Sequence, residues 1–281
     1  MASTLQLVRR IRTAQNVSKT TKAMQMIAAS KLKKAQDAAL SSRPYVTRLV
    51  KVTESLTKRF DKDKLPQFMV QSEKTGKTLY VVIAPDKGLC GGLVTNLIRE
   101  VLRQTKDTDL FITIGKKIEN PVAQITKNIL ASFPFGNTLP RFDVVYPIID
   151  LITDQFTSGK VDKVAILSTH FVNIFSQRPE KLDLLPILAR EDEVRNANDA
   201  FQLFEPDVES ILPDLLKRYI EMAVYQEILE SYLSEQSARM LSMQNATNNA
   251  KEIIEDLRLE YNKTRQAKIT SELLDITGSS V

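Results

Sequence analysis

Residues 234–270, SEQSARMLSMQNATNNAKEIIEDLRLEYNKTRQAKIT, contain no glycine and no proline. Leu229, Leu233, Gln236, Met240, Met243, Thr247, Ala250, Ile254, Leu257 and Tyr261 alternate at spacings of three and four. That is a heptad seam, the pattern that keeps one helix face against a partner helix. Upstream, Leu215, Tyr219 and Met222 extend it, and Asp207 in Phe204-Glu-Pro-Asp207 is the expected N-cap. The spacing predicts one helix over 208–276. A helix of ~69 residues rises about 104 Å. It is too long to be the wall of a small-molecule pocket, so it must span, tether or transmit.

The N-terminal segment carries a matching seam. Leu7, Ala14, Thr21, Ala28, Ala35, Ser42, Leu49 and Leu56 recur every seven residues, with Ile11, Val17, Met24, Leu32, Ala39, Val46 and Val52 between them. This predicts a helix over 3–59, about 85 Å long, with Pro44 expected to bend it. Small residues in mid-seam allow close axial approach. Charge supports the pairing: residues 1–60 hold 13 Lys and Arg against Asp37 and Glu54, and residues 205–281 hold 14 acids against 8 bases. Solvated faces are the alternative reading. A nucleic-acid surface is not expected, because no aromatics are interleaved with the basic residues. One helix enters the middle of the chain by its C-terminal end and the other leaves it by its N-terminal end, so the two run antiparallel. Aligning Leu56 with Leu215 places Leu7 near Thr264. Residues past about 271 then overhang, and they carry Leu273, Leu274, Ile276 and Val281. Such a tip either frays or is enclosed by something else.

Between the helices the pattern changes. Residues 78–84 and 110–114 read as buried strands, 93–105 as a helix, and Pro85–Gly92 as a turn, making a βαβ unit with a parallel sheet. Helices are expected over 117–132 and 144–158, a loop over 133–139, a third strand over 163–169, and antiparallel β-segments over 171–188. The fold class is therefore α/β (α+β overall). A long antiparallel two-helix coiled coil, 1–59 with 206–281, carries a small Rossmann-like α/β domain over 76–200. Residues 60–75 and 189–205 connect them.

The residues offer little for catalysis. Cys90 is the one cysteine and His170 the one histidine, so an internal disulfide, a Cys-based zinc site and His-cluster chemistry are excluded. No apolar run approaches the roughly 18 residues of a membrane span, and residues 2–12 already follow the helical pattern, so no leader is expected. Gly76-Lys77-Thr78 imitates the end of a phosphate-binding loop, but Gln71 stands where its first glycine belongs, and it precedes a strand. Gly88-x-x-Gly91-Gly92 follows a strand and opens a helix, but lacks the dinucleotide spacing. It reads as a structural turn with a packed thiol at Cys90. Glu252, Glu255 and Asp256 read as a solvated acidic face. Pairing with Glu235 and Tyr261 is the bland reading of Arg239 and Arg265. No catalytic set, metal site or cofactor site emerges. Two alternatives remain open: a coiled-coil tether with an α/β binding module, and a nucleotide-binding enzyme on the middle domain.

Four stretches narrow the choice: Thr20-Thr-Lys-Ala-Met-Gln-Met-Ile-Ala-Ala-Ser-Lys-Leu32, Gly88-Leu-Cys-Gly-Gly-Leu93, Ser234-Glu-Gln-Ser-Ala-Arg-Met240 and Tyr261-Asn-Lys-Thr-Arg-Gln-Ala-Lys-Ile-Thr-Ser-Glu272. In order and over essentially the whole chain, they resemble the gamma-subunit family of the F-type ATP synthase. The resemblance implies a non-catalytic central rotor stalk. Its coiled coil would enter a ring of three alpha and three beta subunits, and its α/β domain would form a foot on the c-ring beside the epsilon subunit. By motif, Arg239, Arg265, Gln266 and Thr270 match ring-contacting positions, and Met24 matches a methionine near the moving beta-subunit lever. Glu205, Asp207, Gly88 and Cys90 match the foot, on the c-ring or epsilon side. Membrane association would come only through the c-ring, on the inner face of an energy-transducing membrane, with the bacterial cytoplasmic membrane favoured over the mitochondrial one. The cysteine-pair insertion of the chloroplast type is absent.

Overall fold

The computed structural model describes residues 3–57, 66–70, 75–187 and 208–278. Two helices dominate, α1 (Thr4–Thr57) and α5 (Val208–Gly278). Pro44 does not end α1, which continues through it. The chain forms two compact units, Met1–Ser30 with Arg239–Val281, and Lys31–Ala238. The connectors expected at 60–75 and 189–205 fall largely outside the described residues.

In the first unit α1 begins on a capping box. Ser3 Oγ accepts from the Gln6 amide at 3.3 Å, and Gln6 Oε1 accepts from the Ser3 amide at 3.2 Å. Two amide donors that a helix start leaves unpaired are thereby satisfied. The seam buries Leu7, Ala28, Met243, Thr247 and Ala250. Its register is set by Thr21 Oγ1 and Thr247 Oγ1, 2.8 Å apart. Counting back along both antiparallel helices from that pair puts Leu7 opposite Tyr261, not Thr264. The expected alignment is therefore corrected by almost one turn. The small Thr pair fixes the register, which the broad apolar pattern alone leaves open. The overhang consequently begins earlier, near Arg265, and every residue from Arg265 to Leu274 is exposed.

The second unit is built on a five-stranded sheet in the order β3-β2-β1-β4-β5. Its strands are β1 (Thr78–Ile83), β2 (Leu110–Ile114), β3 (Ile129–Phe133), β4 (Lys163–Asn173) and β5 (Ser176–Leu185). β1 to β4 are parallel, and β5 runs antiparallel to β4. The helices are α2 (Leu93–Gln104), α3 (Lys116–Ile125) and α4 (Tyr146–Thr157). One face packs Tyr80, Val82, Phe111, Ala165 and Leu167 against Leu97 and Val101 of α2 and Ile118 and Val122 of α3. The alternation of side chains along a strand sends Ser168 to the opposite face, which meets α5. Helix α4 adds the buried Ile148, Ile149 and Ile152. Gly115, at φ 102°, is irreplaceable locally: a Cβ there would lie 1.8 Å from Ala84 O.

One expected element is overturned. The helix predicted over 117–132 ends at Ile125, and Ile129–Phe133 forms the edge strand β3, partly in the expected 133–139 loop. Its residues alternate half-buried and exposed, the period of a strand. Ala, Leu and Lys nearby favour a helix, and no glycine or proline marks the change.

Candidate functional site

The order β3-β2-β1-β4-β5 has its switch point between β1 and β4, where doubly wound sheets take ligands beyond the carboxyl ends of the strands. Here α5 occupies that place. Ser234 Oγ donates to Thr169 O of β4 at 2.9 Å. Ser237 Oγ donates to Ile174 O at 3.0 Å, and Gln177 Nε2 donates to Ser237 Oγ at 3.3 Å. The rings of Phe135 and Tyr232 lie 6.2 Å apart. Ala238 packs on Cys90 and Leu93. Every residue of α5 from Ile228 to Ala238 is buried, and Ser234 and Ser237 are tolerated there because each hydroxyl has a backbone or amide partner. A helix buried on all sides and pinned by side chains to the sheet moves with the sheet.

The backbone amides that would greet an anion are already engaged. The Asp86 carboxylate accepts from the amides of Lys116 (2.9 Å), Phe135 (3.2 Å) and Gly136 (2.9 Å), tying together the loops after β1, β2 and β3. Burial pushes this carboxyl upward, but the three amides outweigh it and hold the pKa below the usual range. At the other end of the sheet, the Gly76 amide donates to Asp162 and the Thr78 amide to Asp109. The loop-like Gly76-Lys77-Thr78 is thus bound to carboxylates of its own chain.

A second clamp holds the lower part of α5. The Arg218 guanidinium lies 4.7 Å from the Phe142 ring centroid and bonds to Glu221 Oε2 at 2.9 Å. A hydrogen bond with Tyr45 of α1, followed by the one with Glu221, raises its pKa. Tyr225 stacks edge-on with Phe142 and donates to Pro140 O. Ser42 Oγ of α1 donates to Gln226 Oε1 at 2.8 Å. Sequence reasoning missed Arg218, Tyr225 and Tyr232. Their signal was faint: aromatic and cationic residues on a helix flank facing a loop of Phe and Tyr.

The site residues expected from sequence scatter over both units. In the first, Met24 is 40% exposed on α1, and Arg265, Gln266 and Thr270 lie exposed on the overhang of α5. Thr270 Oγ1 returns its hydrogen to Gln266 O at 2.9 Å. By the Thr21–Thr247 register, Met24 sits about 20 helical residues, about 30 Å, from Arg265. They form no single cluster. Arg239 is half-buried. In the second unit the Gly88–Gly92 turn carries two left-handed residues, Leu89 (φ 63°) and Gly91 (φ 61°), and Cys90 is 2% exposed. This turn lies beside Ala238, midway along α5. Leu212 and Leu216, near the start of α5, pack instead on Met69, about 39 Å away along the helix. Gly88 and Cys90 therefore do not share a surface with the start of α5. Glu205 and Asp207, including the expected N-cap, lie outside the described residues. Among the described residues no helix is long and apolar enough to cross a membrane.

Comparison with known proteins bears on this arrangement directly. Residues 3–280 match the family model described as ATP synthase. An ATP synthase gamma chain of Dehalococcoides mccartyi is 39% identical, covering 100% of this chain and 99% of its own. One of Polynucleobacter asymbioticus is also 39% identical over the same shares. Among solved structures, the rotor of the Euglena gracilis mitochondrial ATP synthase shares the fold at a TM-score of 0.65 and 18% identity, covering 95% of this chain and 98% of its own. The central stalk and c-ring structure of the Tetrahymena thermophila enzyme matches at 0.61 and 24%, covering 81% and 99%.

Proposed function

The chain belongs to the ATP synthase gamma-chain family, and from that premise we propose that it is the central rotor stalk of an F-type ATP synthase. It has no catalytic site of its own. The c-ring turns the α/β unit, the α/β unit turns α5, and the asymmetric helical pair drives the surrounding alpha and beta subunits through different states in sequence. Coupling of this kind requires contacts that differ among the states, and an off-centre axle supplies them. The epsilon subunit and the c-ring meet the foot; membrane association comes through the c-ring alone. Bacterial relatives favour the inner face of a bacterial cytoplasmic membrane.

The observation that carries the reading is the exposed end of α5. Ile269, Leu273 and Leu274 are 48%, 59% and 66% exposed on a helix that has outrun its partner, beside Arg265, Gln266 and Thr270. An apolar helix tip of that kind is unfavourable in water unless another surface encloses it. Arg239, Arg265, Gln266, Thr270 and Met24 are assigned to the ring contact. The Gly88–Cys90 turn, with Glu205 and Asp207, is assigned to the foot, on the c-ring or epsilon side. Mixing the purified chain with a hexamer of alpha and beta subunits tests this. Stable binding, with a change in the hexamer's ATPase rate, is expected. A chain that does not bind, or a hexamer indifferent to it, refutes the proposal.

A further inference from the structure

The joint between β4 and α5 contains carboxyl groups that a purely mechanical grip does not require. Ser168 Oγ of β4 donates to Glu227 Oε2 at 2.5 Å, a short hydrogen bond. One turn further along α5, Glu230 is 3% exposed. Its carboxylate accepts from Gln226 Nε2 at 3.2 Å and lies 4.0 Å from Nδ1 of His170, the only histidine in the chain. Glu180 and Arg178 of β5 sit across the ladder from Ser168 and His170. From the α1 side, Asp37 lines the small groove it shares with Phe171 and Leu233. Three glutamates thus share a site with His170 and, across the ladder from it, Arg178. The buried hydroxyls of Thr169 and Ser231, on the same two elements, have no hydrogen-bond partner.

We propose that Glu227, with Ser168, His170 and Glu230, forms a proton-operated latch between the sheet and α5, tight when the Glu227 carboxyl is protonated and loosened when it ionises. The geometry supplies the mechanism. A protonated Glu227 keeps its bond to Ser168 and adds no charge beside Glu230. An ionised Glu227 sets a second negative charge about one helical turn from Glu230, in a poorly solvated joint, and the two repel. Burial, followed by the charges of Glu230 and Glu180, raises the Glu227 pKa against the opposing effects of Ser168 and His170. For a group whose folded-state pKa is raised, the stabilisation is complete below the ordinary carboxyl value and is lost as pH rises through the folded value.

What the latch couples rests on the rotor reading, but its test does not. Amide exchange, corrected for intrinsic rate, is followed at residues 168–170 and 227–234 of the full chain between pH 5 and 8.5, alongside Glu227→Gln. In the wild-type chain, protection at these amides falls as pH rises, by up to about tenfold for each unit by which the folded-state pKa is raised. In Glu227→Gln, a permanently uncharged mimic, it stays level. Ser168→Ala, which removes the partner favouring the carboxylate, moves the wild-type fall to higher pH and serves as the second variant should Glu227→Gln fold poorly. Parallel pH profiles in wild type and variants overturn the latch and leave the rotor reading standing. A chain that does not bind the hexamer overturns the rotor reading and leaves the latch standing.

Discussion

The Thr21–Thr247 contact decides the register of the helical pair, and it yields a worked prediction. Each hydroxyl has one hydrogen. Thr21 Oγ1 lies 3.0 Å from Val17 O, Thr247 Oγ1 lies 2.8 Å from Met243 O, and the two oxygens are 2.8 Å apart. One threonine must donate across the interface while the other donates to its own helix. Thr21→Val leaves Thr247 bonded to Met243 O, so one net hydrogen bond is lost, about 1 kcal/mol. Thr247→Val, at a position 4% exposed, costs about the same, since Thr21 turns back to Val17 O. The double variant places two isosteric apolar β-branched side chains face to face and recovers packing. It should cost less than the two singles together, by about 0.5–1 kcal/mol. Urea titration of the four full-length chains measures this double-mutant cycle. Additivity within about 0.3 kcal/mol means the side chains at positions 21 and 247 do not face each other, and the register and the overhang derived from it fall with that result.

Gly115→Ala forces a Cβ to within 1.8 Å of Ala84 O at φ 102°; a loss of at least about 3 kcal/mol or failure to fold is expected, read by circular dichroism and thermal melting. Asp86→Asn leaves a single acceptor oxygen for three loop amides, costing about 2 kcal/mol at neutral pH. The Asp86 pKa is depressed in the folded chain, so its contribution is present above the ordinary value of 3.8 and lost as pH falls through the lower folded value; the gap between wild type and variant in urea midpoint should close in acid. Truncation after Thr264 removes only residues with exposed or undescribed side chains. It should change the urea midpoint by less than about 0.5 kcal/mol of stability while lowering the work the assembled enzyme extracts per ATP, measured as proton pumping against ATP hydrolysed.

Much of this was readable in the residues for physical reasons. The two long helices announce themselves because glycine is nearly absent and small and apolar residues recur at three and four. β1 and β2 stand out as apolar runs buried on both faces. The edge strand β3 did not, because Ile129, Ala131 and Phe133 present a strand period only to one neighbour, among residues that also suit a helix. The register was out of reach, since a seam of alanines and threonines fits several alignments and one hydroxyl pair selects among them. The joint was hidden for a related reason: Ser168, Glu227 and Ser234 look like surface residues until the sheet and α5 are brought together. The exposed candidates Arg265, Gln266 and Thr270 came from motif resemblance, and the geometry adds that they lie beyond the end of α1.

Rotation of α5 as an axle driven with the sheet can be watched directly. Phe175, at the β4–β5 hairpin, is 79% exposed, and the one native thiol, Cys90, is buried. A Phe175→Cys, Cys90→Ala chain therefore takes a single probe at a known point. With the alpha–beta hexamer fixed to a surface and a bead on residue 175, ATP should drive continuous rotation in one direction, stopping when ATP is withdrawn. A bead that only fluctuates while the hexamer hydrolyses ATP at its full rate would contradict the account.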